Sequence, residues 1–337
     1  MRIVITADPF IPVPPLNYGG IERIIYFLTE ELLKNGHEVM LIAHKNSKVS
    51  AKLLPYPTSK TAYLKDLKHI YNLNQLKSWK PDIIHSFSRL AYLLPYLPTT
   101  TAKLMSYQRE PTIGQIKKAV KFSKKNTLAF SGCSDYISQQ ITPYAPAYTV
   151  YNGVDLNSYN FKDNVEENAP LVFLGRIEPI KGTHTAIQIA IKTQRKLVIA
   201  GNIPAEYHDY FDQQVKPHLN ENISYIGEVN DQQKNELLGK AAALLMPIEW
   251  NEPFGIVMIE AMACGTPVIG VPKGSLPEVI NPGKNGYLAN NFEELCSYVF
   301  KLPELSRATI RQITEERFSS QKIVADYTAL YTKLIND

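Results

Sequence analysis

Two rhythms alternate along the chain. Short apolar runs read as buried strands at Arg2–Ala7, Glu38–Ala43, Asp82–His85, Ala102–Ser106, Leu128–Ser131 and Tyr148–Tyr151. A helical pattern runs from Ile21 to Asn35, with Gly36 as its stop signal. The strand rhythm restarts at Leu171–Gly175 and returns at Lys196–Ala200, Ile223–Ile226, Ala243–Met246 and Pro267–Val271. Helices are expected between these strands, at 182–194, 205–217, 231–240 and 256–264. Such alternation predicts an α/β protein with parallel sheets. A chain of 337 residues is long for one core, so two domains are expected. The polar stretch Asn157–Ala169 lacks periodicity and reads as the linker. In two doubly wound units, ligands are expected at the carboxyl ends of the strands.

Composition narrows the class. Apolar residues make up 45% and charged residues 20%, as in a soluble globular protein. No run of 18 apolar residues predicts a spanning helix, and the N-terminal run reads as a strand and not a leader. Three scattered cysteines argue against a disulfide framework or a zinc site, and for a reducing, cytoplasmic compartment. The net charge of +4 divides unevenly, with +10 on residues 1–150 and −6 on the remainder. Gln115–Lys125 concentrates lysines in the basic half. It reads either as a solvated basic helix or as a contact for anionic lipid or an anionic acceptor, which would make the protein peripherally membrane-associated. Nothing calls for a nucleic-acid partner.

The densest chemistry lies in Glu252-Pro-Phe-Gly-Ile-Val-Met-Ile-Glu260. On one continuous helix, residues eight apart would sit about 80° apart around the axis and about 12 Å along it. Pro253 and Gly255 break that helix, so Glu252 ends a loop and Glu260 lies in the first turns of the helix beginning near Gly255. The free N–H groups of Gly255, Ile256 and Val257 then form an anion seat flanked by two carboxylates able to accept from hydroxyls. A sugar phosphate is the ligand type that fits. Gly175-Arg-Ile-Glu-Pro-Ile-Lys-Gly182 adds two cations, Arg176 and Lys181, in a strand-to-helix loop. Taken alone that loop is equally an ordinary surface turn. Gly19-Gly20 before the first helix is a second candidate anion seat, though not a dinucleotide fingerprint and in isolation as readily a turn.

Together, Glu252–Glu260, Gly175–Gly182 and Tyr18-Gly-Gly-Ile-Glu-Arg23 resemble the GT-B glycosyltransferases of retaining family 4, the glycosyl transferases group 1. That family includes sucrose synthases and many bacterial mannosyl- and glucosyltransferases. The resemblance covers essentially the whole chain. Asn152-Gly-Val-Asp155, Pro277-Glu278 and Asn285-Gly286 match further family segments. It implies two Rossmann-like doubly wound domains facing across a cleft. Residues 1–155 with 318–337 would form the acceptor domain and 165–317 the donor domain. The last helix, Phe318–Ile335, would cross back to the first domain.

By the same resemblance, Arg176 and Lys181 would bind the donor's diphosphate and stabilise the leaving group. Glu252 would face the donor sugar, and backbone at Phe254, Gly255, Ile256 and Val257 would hold sugar and phosphate. Glu260 would accept from the ribose, and Gly20 would let the first domain approach the diphosphate. One departure stands out. Many members carry His-x-His after the third of the predicted strands, and here Ile84-His85-Ser86-Phe87 puts Phe87 in the second position. His85 remains a candidate contact to sugar or acceptor, with a structural role as its alternative. No Asp-x-Asp motif is present, so neither metal nor cofactor is expected. The expected activity is retaining transfer of a hexosyl unit from a UDP- or GDP-sugar to an unidentified acceptor, such as a lipid or cell-surface glycan precursor. The alternatives are a non-catalytic sugar-nucleotide-binding partner subunit and a GT-B epimerase or phosphorylase.

Overall fold

Parallel strands buried on both faces need apolar side chains at nearly every position. Strand β1 (Arg2–Thr6) meets that demand, with Ile3, Val4 and Ile5 wholly buried. The computed structural model describes residues 1–15, 19–56 and 75–337. Tyr18, the first residue of the segment Tyr18-Gly-Gly-Ile-Glu-Arg23, lies outside the described residues.

The chain divides into two compact units, Met1–Asn152 with Ser320–Asp337, and Gly153–Ser319. The first is built on a seven-stranded sheet of order β3-β2-β1-β4-β5-β6-β7. After β1 its strands are β2 (Glu38–Ala43), β3 (Lys52–Pro55), β4 (Ile83–Ser86), β5 (Ala102–Tyr107), β6 (Leu128–Gly132) and β7 (Ala147–Thr149), paired in parallel throughout. Its helices include α1 (Gly20–Lys34), α2 (Ile113–Phe122) and α3 (Asp135–Ile141).

The second unit carries a six-stranded parallel sheet of order β10-β9-β8-β11-β12-β13. Its strands are β8 (Leu171–Leu174), β9 (Leu197–Ala200), β10 (Ile223–Tyr225), β11 (Ala243–Met246), β12 (Val268–Gly270) and β13 (Gly286–Leu288). Its helices are α4 (Thr183–Thr193), α5 (His208–Gln214), α6 (Asp231–Lys240), α7 (Ile256–Ala263), α8 (Leu276–Val279), α9 (Phe292–Phe300) and α10 (Arg307–Phe318). The helix expected over 205–217 is shorter. It begins as a 3₁₀ turn at Ala205–Tyr207 and gives way to another at Lys216–His218, where Pro217 cannot continue an α-helix.

The expected terminal helix is present and starts two residues later than its pattern suggested. α10 stops at Phe318, Ser319 is extended, and α11 (Ser320–Asn336) belongs to the first unit. The stretch read as the linker is fastened within the second unit. Arg311 donates to the carbonyls of Tyr159 (3.2 Å) and Ala263 (2.6 Å), and Arg307 Nε donates to that of Lys162 (2.6 Å). These contacts use backbone carbonyls, so the polarity of 157–169 carries no trace of them. All three cysteines are buried. No helix among the described residues is long and apolar enough to cross a membrane.

Candidate active site

In the second sheet the strand order reverses between β8 and β11, which are direct neighbours. A doubly wound sheet binds its ligands at the carboxyl ends of the strands where the order reverses. The loops leaving these two strands are Gly175–Gly182 and Pro247–Gly255, which carry Arg176, Lys181, Glu252, Phe254 and Gly255.

The loops are fastened to each other. Gly182 has φ +75, and a Cβ there would collide with the carbonyl oxygen of Pro247. Glu249 N–H donates to the carbonyl of Ile180 at 2.8 Å. His184 Nε2 lies 3.1 Å from Glu249 Oε1, and its Nδ1 lies 2.8 Å from the Tyr210 hydroxyl. This fastening brings Lys181 to Glu252, 71 positions away in sequence, with Nζ donating to Oε2 at 2.6 Å. Their side chains are 18% and 11% exposed, so the pair is largely shielded but open to a ligand. The same ammonium lies 4.4 Å from the centre of the Trp250 ring.

Glu252 is buttressed from behind. Ser275 N–H donates to its carbonyl at 2.9 Å, and Ser275 Oγ donates to that of Phe254 at 2.9 Å. Gly274, at φ +60, lies so close to the Glu252 backbone that any side chain would strike it. Phe254 is buried with its ring edge-on to Phe318. Gly255 is the N-cap of α7, so the N–H groups of Ile256 and Val257 have no intrahelical acceptor, while that of Met258 donates to the Gly255 carbonyl at 2.9 Å. Arg176 is 43% exposed and lies 2.9 Å from Glu178, which is almost wholly buried. The contact is an ion pair without hydrogen-bond alignment.

Glu260, on α7, is a second shielded carboxylate. Its Oε1 accepts from Lys234 Nζ at 2.6 Å and from the Tyr159 hydroxyl at 2.7 Å. Glu252 and Glu260 therefore each carry a lysine from another element.

The first-unit candidates are placed differently. Gly20 opens α1 with Gly19 as its N-cap. His85 has no exposed surface. Its Nδ1 is 2.6 Å from the Tyr331 hydroxyl and its Nε2 is 2.6 Å from Ser106 Oγ. Burial pushes its pKa down to about 3. With both nitrogens bonded and no open face, His85 is buried in the core as folded, the arrangement expected of the structural alternative. Phe87 packs on it with ring centres 4.2 Å apart.

Sequence reasoning did not single out Trp250, Lys234, Tyr159 or Gly274. Trp250 stands two positions before Glu252 in a strand-end loop, a signal open to notice. Lys234 and Tyr159 sit in segments with no motif.

Residues 18–158 match the model of Glycosyltransferase Family 4, and residues 158–313 match that of Glycosyl transferases group 1. The chain belongs to this glycosyltransferase family. Spore coat protein SA of Bacillus subtilis (strain 168) is 25% identical over 99% of this chain and all of its own length. The glycosyltransferase shares its fold with AviGT4, a glycosyltransferase involved in avilamycin A biosynthesis (TM-score 0.76, 23% identity, 99% of this chain and 98% of that one). It also shares it with Anabaena Alr3699/HepE in complex with UDP-glucose (TM-score 0.77, 16% identity, 99% of this chain and all of that one). The fold is GT-B.

Proposed function

We propose that this glycosyltransferase moves a hexosyl unit, with retention, from a nucleotide-diphosphate sugar to an anionic or lipid-linked acceptor. The observation that carries the reading is the Lys181–Glu252 pair beside the N-terminus of α7, at the reversal point of the sheet. Lys181, Arg176 and the α7 N-terminus stabilise charge on the departing diphosphate. Glu252 accepts from a donor-sugar hydroxyl, with backbone at Phe254–Val257 lining the sugar and phosphate. Glu260 uses its remaining acceptor capacity for the ribose, since a carboxylate offers about four lone-pair sites.

In the same-face route the bond from anomeric carbon to phosphate oxygen breaks as the bond to the acceptor oxygen forms. The acceptor's proton passes to the diphosphate, and the protein supplies position and charge. The reading includes no metal, so chelation by EDTA leaves the rate unchanged. UDP-glucose bound to Alr3699/HepE supports UDP as the first base to try, with GDP-sugars beside it.

The acceptor side rests on a surface of the first unit. Between Asp82 and Asp135 the only carboxylate is Glu110. On and just after α2, Lys117, Lys118, Lys121, Lys124 and Lys125 are exposed, with Phe122 63% and Leu94 48% exposed. A cationic face with protruding apolar side chains suits an anionic lipid surface.

The test is incubation of the purified chain with UDP- and GDP-hexoses and candidate acceptors, reading nucleotide release and the anomeric configuration of the product by NMR. An α-glycoside from an α-donor supports the reading, and an inverted product overturns retention. Nucleotide release without a new glycoside points to epimerase or phosphorylase chemistry instead. Sedimentation with phosphatidylglycerol vesicles, absent with phosphatidylcholine and lost at high salt, supports the membrane contact, and equal behaviour with both lipids overturns it.

A further inference from the structure

A lysine can be held in two ways that leave different things for a ligand. A carboxylate neutralises the ammonium and takes up its N–H groups. An aromatic face attracts the cation without accepting a full hydrogen bond, so charge and donors stay available. Lys181 has both partners, Glu252 Oε2 at 2.6 Å and the Trp250 ring centre at 4.4 Å. The ring is brought there by the fastening of the two loops at Glu249–Ile180. Its indole N–H is buried with no hydrogen-bond partner among the described residues. The ring's orientation therefore rests on packing and on the ammonium it faces.

We propose that Trp250 is a positioning residue for the donor's diphosphate. An incoming diphosphate competes with Glu252 for Lys181 and separates the pair. The Trp250 face does not compete, and it keeps the ammonium charged and close to the start of α7 while Glu252 turns to a hydroxyl of the sugar. No covalent bond changes in this step, only an exchange of acceptors on Lys181. The inference rests on Lys181 being the diphosphate ligand.

The test compares UDP with uridine, and GDP with guanosine, on the full chain by calorimetry and ligand-observed NMR. Trp250→Phe keeps a ring without the N–H. Trp250→Leu and Trp250→Met remove the ring, and circular dichroism selects whichever is folded. The ring-less variant is expected to lose about tenfold in diphosphate affinity, within the range of a shielded cation–π contact. Nucleoside affinity should stay within about twofold and Trp250→Phe within about threefold of wild type for the same reason. Equal diphosphate affinity without the ring overturns the proposal. So does a parallel loss of nucleoside binding, which a merely structural role produces, or failure of Trp250→Phe to retain binding. A wild-type chain that binds UDP and GDP no better than their nucleosides overturns the donor reading first, and this inference with it.

Discussion

The two units place polar side chains at their sheets in opposite ways. In the first, a network runs across β4, β5, β6 and α11 through His85, Ser106, Ser131, Tyr327 and Tyr331. Each of these residues is at least 97% buried, and the group is formally neutral. It joins the returning helix to the sheet. In the second, Lys181–Glu252 joins two strand-end loops and Lys234–Glu260 joins helices α6 and α7, ion pairs with side chains 9–18% exposed. A neutral, sealed network fixes architecture. A charged, partly open pair can trade one partner for a ligand ion.

Charge alone does not mark the second kind. Arg307 is a buried cation of the second unit, and its acceptors are the carbonyls of Lys162, Gly239, Ala241 and Cys264 and the hydroxyl of Thr266. Lys103 in the first unit likewise donates to the carbonyls of Tyr96, Leu97 and Thr99. Carbonyl-held cations stay where they are, because a ligand cannot replace a cage of three or four backbone carbonyls. The largest effect is therefore expected at Arg307. Arg307→Ala should destabilise the second unit by about 3–5 kcal/mol, because several buried carbonyls lose their donor at about 1–3 kcal/mol each. Urea unfolding followed by Trp250 emission, in a Trp79→Phe background that leaves it the only tryptophan, reads this unit alone. A loss below about 1 kcal/mol, the scale of one ordinary hydrogen bond, would break the distinction.

Next comes the exchangeable pair. Glu252→Gln keeps shape and removes charge, so Lys181 is no longer neutralised. kcat/KM is expected to fall about a hundredfold, roughly 2.7 kcal/mol, as when one well-placed polar contact to the reacting group is lost. The Kd for UDP or GDP should hold or tighten, because the competitor for Lys181 is weaker. Activity and affinity moving down together would mean that the pair acts as architecture.

The neutral network predicts a pH effect of its own. His85 in the folded chain has a pKa of about 3, below the 6.5 of an unfolded histidine, because burial opposes the imidazolium. Between those values the unfolded chain binds the extra proton. Stability is thus full above pH 6.5 and falls with acidification by up to about 1.4 kcal/mol per pH unit. His85→Gln should flatten this limb in pH-dependent urea titrations. An unchanged slope would assign the acid sensitivity to other groups.

Much of this order was legible in the chain, and its gaps have physical causes. Buried parallel strands such as Ile3–Ile5 announce themselves as apolar runs. β3 (Lys52–Pro55) lies at the sheet edge with its four residues exposed or half-buried, and β13 has three residues, so neither leaves a run. α10 buries four residues, Arg307, Ile310, Thr314 and Phe318, of which only two are apolar. Local pattern named Lys181 and Glu252 but could not bring them together, because their meeting depends on β8 and β11 being neighbours. His85 looked available because a strand-end histidine carries no sign of Tyr331, 246 positions later, that occupies it.

The smallest effect separates the two ion pairs from each other. Glu260 has a hydroxyl partner as well as a lysine, whereas the carboxylate of Glu252 is bonded among the described residues to Lys181 alone. Tyr159→Phe removes one hydrogen bond to Glu260 Oε1 and leaves Lys234 in place. The cost should be about 1 kcal/mol or less, up to about fivefold in nucleotide affinity. It should appear as weaker discrimination between UDP and 2′-deoxy-UDP, since a less firmly oriented carboxylate reads a ribose hydroxyl less well. Equal discrimination in the variant and the wild type would remove Tyr159 from ribose recognition and leave the orientation of Glu260 to Lys234.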